Sequence, residues 1–95
     1  MKRIKFRTAA SADMRRIARD TRAAWGEDQA FKYLRRMHSE IEALREFPMR
    51  HPEFDPCPGL RRMNSGRHAV VYLVVEDQVE IIRVLHAASD FEQWL

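Results

Sequence analysis

Ala30, Leu34, Met37, Ile41 and Leu44 follow one another at spacings of four, three, four and three, the repeat of a single face of an α-helix. A strand cannot use that period, because its faces alternate every two residues. Glu27 and Asp28 stand at the start of this segment, where negative charge meets the positive end of a helix. Pro48 lies beyond its far end and is expected to stop it. A second stripe precedes the first: Met14, Ile17, Ala18, Thr21 and Trp25 recur at helical spacing, Thr8 is placed to act as N-cap, and Gly26 stands where a left-handed C-cap belongs. With so short a connection, the two helices are expected to form an antiparallel hairpin that turns both stripes to one core.

The flanks carry the other period. Arg3-Ile4-Lys5-Phe6-Arg7 alternates basic and apolar residues and predicts a short first strand. Leu60–Met63 is a candidate strand, Asn64-Ser65-Gly66 a turn, and Arg67–Val75 a run apolar on both faces, as a central strand should be. Glu76-Asp77-Gln78 makes a hairpin turn into Val79–His86, which Arg83 interrupts on one face. Between them, Phe47–Gly59 contains all four prolines of the chain and is expected to be irregular. The order β-α-α-β-β-β predicts an α+β fold in which a helical hairpin covers one small, antiparallel-rich sheet.

A chain of 95 residues, 45% apolar and 33% charged, suits one globular domain spanning residues 1–95. Cys57 is the single cysteine, flanked by Pro56 and Pro58, so neither an intrachain disulfide nor a paired-thiolate zinc site is expected. His38 and His51 have no ligand-like spacing, and no metal or cofactor is expected. No apolar run of secretory or membrane-spanning length is present, so a cytoplasmic protein without a membrane partner is the expectation. The formal charge of +3 is concentrated in residues 1–25, where eight Lys or Arg face two acids, and arginines outnumber lysines fourteen to three over the chain. The guanidinium fork suits carboxylate and phosphate, which implies an anionic partner.

Several segments resemble the ParE branch of the RelE/ParE toxin superfamily. They are Ala12-Asp13-Met14, the run Trp25–Leu34, Leu44 with Phe47-Pro48, Gly59-Leu60-Arg61-Arg62, Gly66–Tyr72, and Ile81–His86 with Asp90. The resemblance implies a RelE-like fold and a type II toxin in a hetero-oligomer with a ribbon-helix-helix, ParD-like antitoxin, through which alone it would contact DNA. It implies DNA gyrase as target, growth inhibition by poisoning it, and a part in plasmid stabilisation. RelE-type relatives are instead ribosome-dependent mRNA endonucleases. That chemistry needs a base for the ribose 2′-OH, cations for the phosphorane and an acid for the leaving oxygen. Arg61, Arg83 and His86 are the residues it would draw on here, but the ending Asp90–Leu95 has no tyrosine and Leu85-His86 with Asp90 is the ParE-like pattern. An inactive, toxin-like binding module is the remaining alternative.

As a non-catalytic toxin, the chain would contact antitoxin or target through Arg15, Arg19 and Arg22 on the first helix, through Arg61, Arg67, His68, Arg83 and His86 on the strands, and through Trp94. Each has a plainer reading. The helix arginines form a solvated face, Arg83 pairs with a nearby acid, and the histidines make structural hydrogen bonds. Trp25 and Tyr72 are expected in the core, and Trp94-Leu95 is buried only if the tail docks.

Overall fold

The computed structural model describes residues 1–53 and 58–95, the side chain of Glu92 aside; Pro56 and Cys57 lie outside the described residues. Its elements are β1 (Arg3–Phe6), α1 (Thr8–Trp25), α2 (Glu27–Ala43), β2 (Leu60–Ser65), β3 (His68–Val75), β4 (Gln78–His86) and the short α3 (Phe91–Trp94). The four strands form one mixed sheet in the order β1-β4-β3-β2. β1 runs parallel to β4, while β4-β3 and β3-β2 are antiparallel. The α1–α2 hairpin covers one face, so the α+β architecture and its β-α-α-β-β-β order are those the periodicities predict.

The helix stripe that dominates the sequence is the centre of the core. Ala30, Met37, Ile41 and Leu44 are all buried, and the last three join Val70, Tyr72, Val79, Ile81 and Val84 of the sheet in one cluster, each large side chain worth about 1.5–3 kcal/mol of transfer free energy. Tyr72 also satisfies its hydroxyl by donating to the Pro48 carbonyl, 2.8 Å away.

The first helix is rotated from expectation. Its buried residues are Ala10, Asp13, Ile17 and Thr21, a face turned by roughly 50° on a helical wheel, and Trp25 stays 39% exposed. The cause is an ion pair: Asp13 is drawn inward. Smaller differences follow local chemistry. Arg7, not Thr8, is the N-cap of α1, without a side-chain bond, and α2 ends at Ala43, ahead of Pro48. β2 runs on to Ser65, so the β2–β3 turn falls on Gly66-Arg67. Gly66 has φ 58°, and a Cβ there would sit 2.5 Å from Cε1 of Tyr33, which is why this turn needs glycine.

Among the described residues, the opposite face of the sheet has no helical layer beyond α3. Ala69, Val71, Leu85 and Phe91 form a small second cluster there, flanked by Leu60 and Ile82. The tail thus docks through Phe91, not through Trp94 or Leu95, which remain 53% and 40% exposed. No helix among the described residues is long and apolar enough to cross a membrane.

Candidate functional site

β1 pairs with β4 only from Gln78 to Ile81. Past that point the edge of β4 has lost its neighbour, and the Val84 N–H needs another acceptor. The Asp13 carboxylate supplies it: Oδ2 accepts from Val84 N at 2.9 Å and from Arg83 Nε at 2.7 Å, and Oδ1 accepts from Arg83 Nη2 at 2.8 Å. Arg16 adds a fourth donor at 3.1 Å. Arg83 can reach inward because a bulge in the β3–β4 register places both Ile82 and Arg83 between the inward-facing Ile81 and Val84. Burial pushes the Asp13 carboxyl up, but the bonds from Arg83 and Val84, the Arg83 charge and Arg16 together hold it below its ordinary 3.8. Bidentate pairing and two further donors make this a saturated carboxylate.

On the outer face, a groove of about 840 Å³ runs between β1 and the tail. Leu60, Leu73 and Ile82 form its apolar floor, Lys5, Arg7 and Arg83 its basic rim, and Trp94 and Leu95 its end. Glu80 is the rim's acid, 3.6 Å from Arg7. Arg83 is the hinge between the two regions: its guanidinium, clamped by Asp13, also lies 5.5 Å from the Trp94 ring and donates to the Trp94 carbonyl at 3.4 Å.

The remaining sequence-predicted residues are dispersed. Arg61 donates to the His51 carbonyl at 2.7 Å. His86 accepts the Ala88 N–H at Nδ1; it pairs in register with His68, as Arg61 does with Tyr72, so Arg61 and His86 are four residues apart in level, about 13 Å along the sheet. Arg15, Arg19 and Arg22 are exposed on α1; Arg19 lies 3.6 Å from Asp20 and Arg22 3.9 Å from Glu27. His68 lies 2.5 Å from the Tyr33 hydroxyl, and Arg67 covers Trp25 at 4.8 Å. Arg61, Arg83 and His86 therefore occupy three separate environments. No cluster of three or more potential metal ligands occurs among the described residues.

Sequence reasoning passed over Asp13, Lys5, Arg7 and Tyr33. Asp13 was detectable: an acid three residues after Ala10 and four before Ile17 belongs to the buried face, and a buried carboxylate requires a cation such as the arginine inside the apolar strand. Lys5 and Arg7 alternate with Ile4 and Phe6, so they had to face away from the helices.

A hairpin of helices on a β1-β4-β3-β2 sheet, with a basic groove on the uncovered face, is the α+β arrangement expected of a RelE-like fold. A model describing the ParE toxin of type II toxin–antitoxin systems matches residues 4–91. The chain is 40% identical over 91 residues to Toxin ParE1 of Caulobacter vibrioides, covering 95% of this chain and 94% of that one. To Toxin ParE1 of Mycobacterium tuberculosis it is 33% identical over 87 residues, covering 90% and 89%. In fold it is similar to a solved chain of a chromosomal ParDE system from P. aeruginosa, with TM-score 0.78 at 18% identity over 90% of this chain and 96% of that one. The chain belongs to the ParE toxin family.

Proposed function

We propose that this protein is a cytoplasmic, growth-inhibiting toxin that binds DNA gyrase and stalls its cycle by protein–protein contact, and that a ParD-like antitoxin neutralises it in a hetero-oligomer. The observation that carries the non-catalytic side of this reading is the clamp on Arg83. An endonuclease would need that guanidinium free to meet a phosphorane, whereas here two of its nitrogens are spent on Asp13. Arg61 is tied to a loop carbonyl and His86 sits well away from it. The three groups that the ribonuclease reading draws on do not converge on one reaction centre.

The antitoxin's natural seat in this reading is the outer groove. An amphipathic, acidic tail would lay apolar side chains on Leu60, Leu73 and Ile82 and its carboxylates on Lys5 and Arg7, folding as it binds. Arg15, Arg19, Arg22 and Arg67 are further contact candidates by charge and exposure. Because replacing Arg83 would strand Asp13 in the core, Lys5 and Arg7 are the better probes of this interface.

The test is a pair of assays with the purified protein: plasmid supercoiling by gyrase, and message integrity in a translation extract. Blocked supercoiling with intact RNA is the expected result. Cut messages with unimpaired gyrase would replace this reading by the endonuclease one, and no effect in either assay, with normal growth on expression, would leave a binding module.

A further inference from the structure

Where the α1–α2 turn meets the β2–β3 turn, four rings form a row. Trp25 meets Tyr33 edge-on at 5.5 Å between centroids, Tyr33 meets His68 at 5.6 Å, and His68 meets His86 at 5.8 Å. Arg67 lies over Trp25. The row borders a cleft of about 270 Å³, whose walls include Arg16, Asp20, Arg67, His68 and His86.

The hydrogen bonds on the inner side of the row decide what points outward. Tyr33 Oη accepts from the Arg67 N–H at 2.9 Å and lies 2.5 Å from His68 Nδ1, with the Ser65 carbonyl at 3.2 Å. The hydroxyl has one proton, which the Ser65 carbonyl takes because it can only accept; its two lone pairs then serve the Arg67 N–H and the His68 Nδ1–H, so the neutral His68 ring carries its proton on Nδ1 and its Nε2 becomes a donor when the ring is protonated. In His86 the Nδ1 accepts from Ala88 N at 3.2 Å, which puts that neutral ring's proton on Nε2. His86 therefore carries an Nε2–H donor, His68 gains one on protonation, and the Arg67 guanidinium has no carboxylate partner among the described residues.

Acceptors are scarce by comparison. Asp13 is shared by Arg83, Val84 and Arg16, and Asp20 lies 3.6 Å from Arg19. The field at His68 is accordingly one-sided. Burial, then the charges of His86, Arg16 and Arg67, push it below its ordinary 6.5, and no carboxylate opposes them. A donor-rich, acceptor-poor cleft with uncompensated positive potential is the chemistry of oxyanion recognition. Donors arrive from the β2–β3 turn, from β3 and from β4, three directions that suit the several oxygens of a tetrahedral anion better than the planar pair of a carboxylate.

We propose that this cleft binds a phosphate group, with Arg67, the Nε2–H of His86 and the Nε2–H that His68 gains on protonation as its donors. The group could belong to a free phosphate or phosphomonoester, or to the phosphodiester of a nucleic acid; the recognition chemistry is common to both. None of its three donors lines the outer groove proposed for the antitoxin, although Arg67 is also a contact candidate by its charge and exposure.

The experiment follows histidine ring protons by NMR in the full chain across a pH titration, in inorganic phosphate and in chloride at equal ionic strength. Phosphate should raise the His68 midpoint by roughly half a unit or more and move the His86 ring signals, while the exposed His38 on α2 stays put. Arg67→Ala, an exposed position, should keep the helical circular dichroism and weaken phosphate binding roughly tenfold. His86→Gln should weaken it too, read through His68. An equal response to dimethyl phosphate assigns the site to a phosphodiester, and a response to inorganic phosphate alone assigns it to free phosphate or a monoester. The proposal is overturned by a His68 midpoint that is the same in phosphate and chloride, by acetate acting as well as phosphate, or by a response that survives Arg67→Ala.

Discussion

The two faces of this sheet are built from the same strands and finished in opposite ways. On the inner face the apolar side chains of the strands join those of α1 and α2 in one core, and the stretch of β4 edge that β1 leaves uncovered is closed by Asp13. On the outer face, Phe91 alone seals one end, leaving partly exposed leucine and isoleucine beside lysine and arginine. The inner face sets the fold's stability; the outer one is surface kept available. An arginine at the boundary serves both, anchored from within and capped from without by Trp94.

Removing the anchor should produce the largest effect. Asp13→Ala leaves the Arg83 guanidinium, whose side chain is 16% exposed, without its carboxylate and the Val84 N–H without an acceptor. Breaking a buried pair from one side costs about 3–5 kcal/mol, measurable as a lowered urea midpoint. The pH dependence has a definite sign. Folded Asp13 resists protonation, so below its ordinary 3.8 the unfolded chain takes up the extra proton and stability falls as pH falls toward the folded value. That acid limb should shrink in the alanine variant. A loss below about 1 kcal/mol would show that the two faces are not so unequal.

Met37 and Phe91 compare the faces directly. Met37 is wholly buried between helix and sheet, and Met37→Ala should cost about 2–5 kcal/mol in global stability because the cavity cannot collapse. Phe91 is nearly as buried, at 6% exposure, yet it belongs to a terminal segment that can lift off. Phe91→Ala should cost only about 1–2 kcal/mol, with amide exchange accelerated for the tail and unchanged in α2. Equal costs for the two variants would make the tail part of one cooperative core.

Gly66→Ala probes the corner between the faces. The new Cβ would meet the Tyr33 ring in a left-handed conformation, so a loss of about 1–3 kcal/mol is expected, along with altered His68 signals as Tyr33 moves. Unaltered signals would mean that the ring row does not depend on this turn.

What the sequence made legible follows from range. The α2 stripe repeats within seventeen residues, and the strand alternations within nine or fewer, so local periodicity was enough to find them. The rotation of α1 lies outside the local stripe because it depends on Arg83, seventy positions from Asp13; apolarity alone selects Met14 and Trp25, while pairing of opposite charges selects Asp13. The bulge at Ile82-Arg83 is a further long-range event, visible only once β3 and β4 are in register. Among site residues, Arg83 and His68 were singled out for what they are, but not for whom they touch. Tyr33 stands in the sequence only within the run Trp25–Leu34, with no role of its own, although its hydroxyl organises the β2–β3 turn.

The smallest effect on stability is expected from Trp94→Ala, and it is the sharpest test of the outer face. Trp94 is 53% exposed, its carbonyl bond to Arg83 survives the substitution, and Asp13 holds that arginine from the other side. Loss of an exposed cation–π contact should cost no more than about 0.5–1 kcal/mol. If the outer face is a docking surface, the same change should be felt in association: antitoxin affinity, measured by titration calorimetry, should drop by several-fold more than stability does, because an aromatic at the end of an apolar groove is a typical anchor. A variant that lost stability heavily while keeping its partner's affinity would reassign Trp94 to the fold.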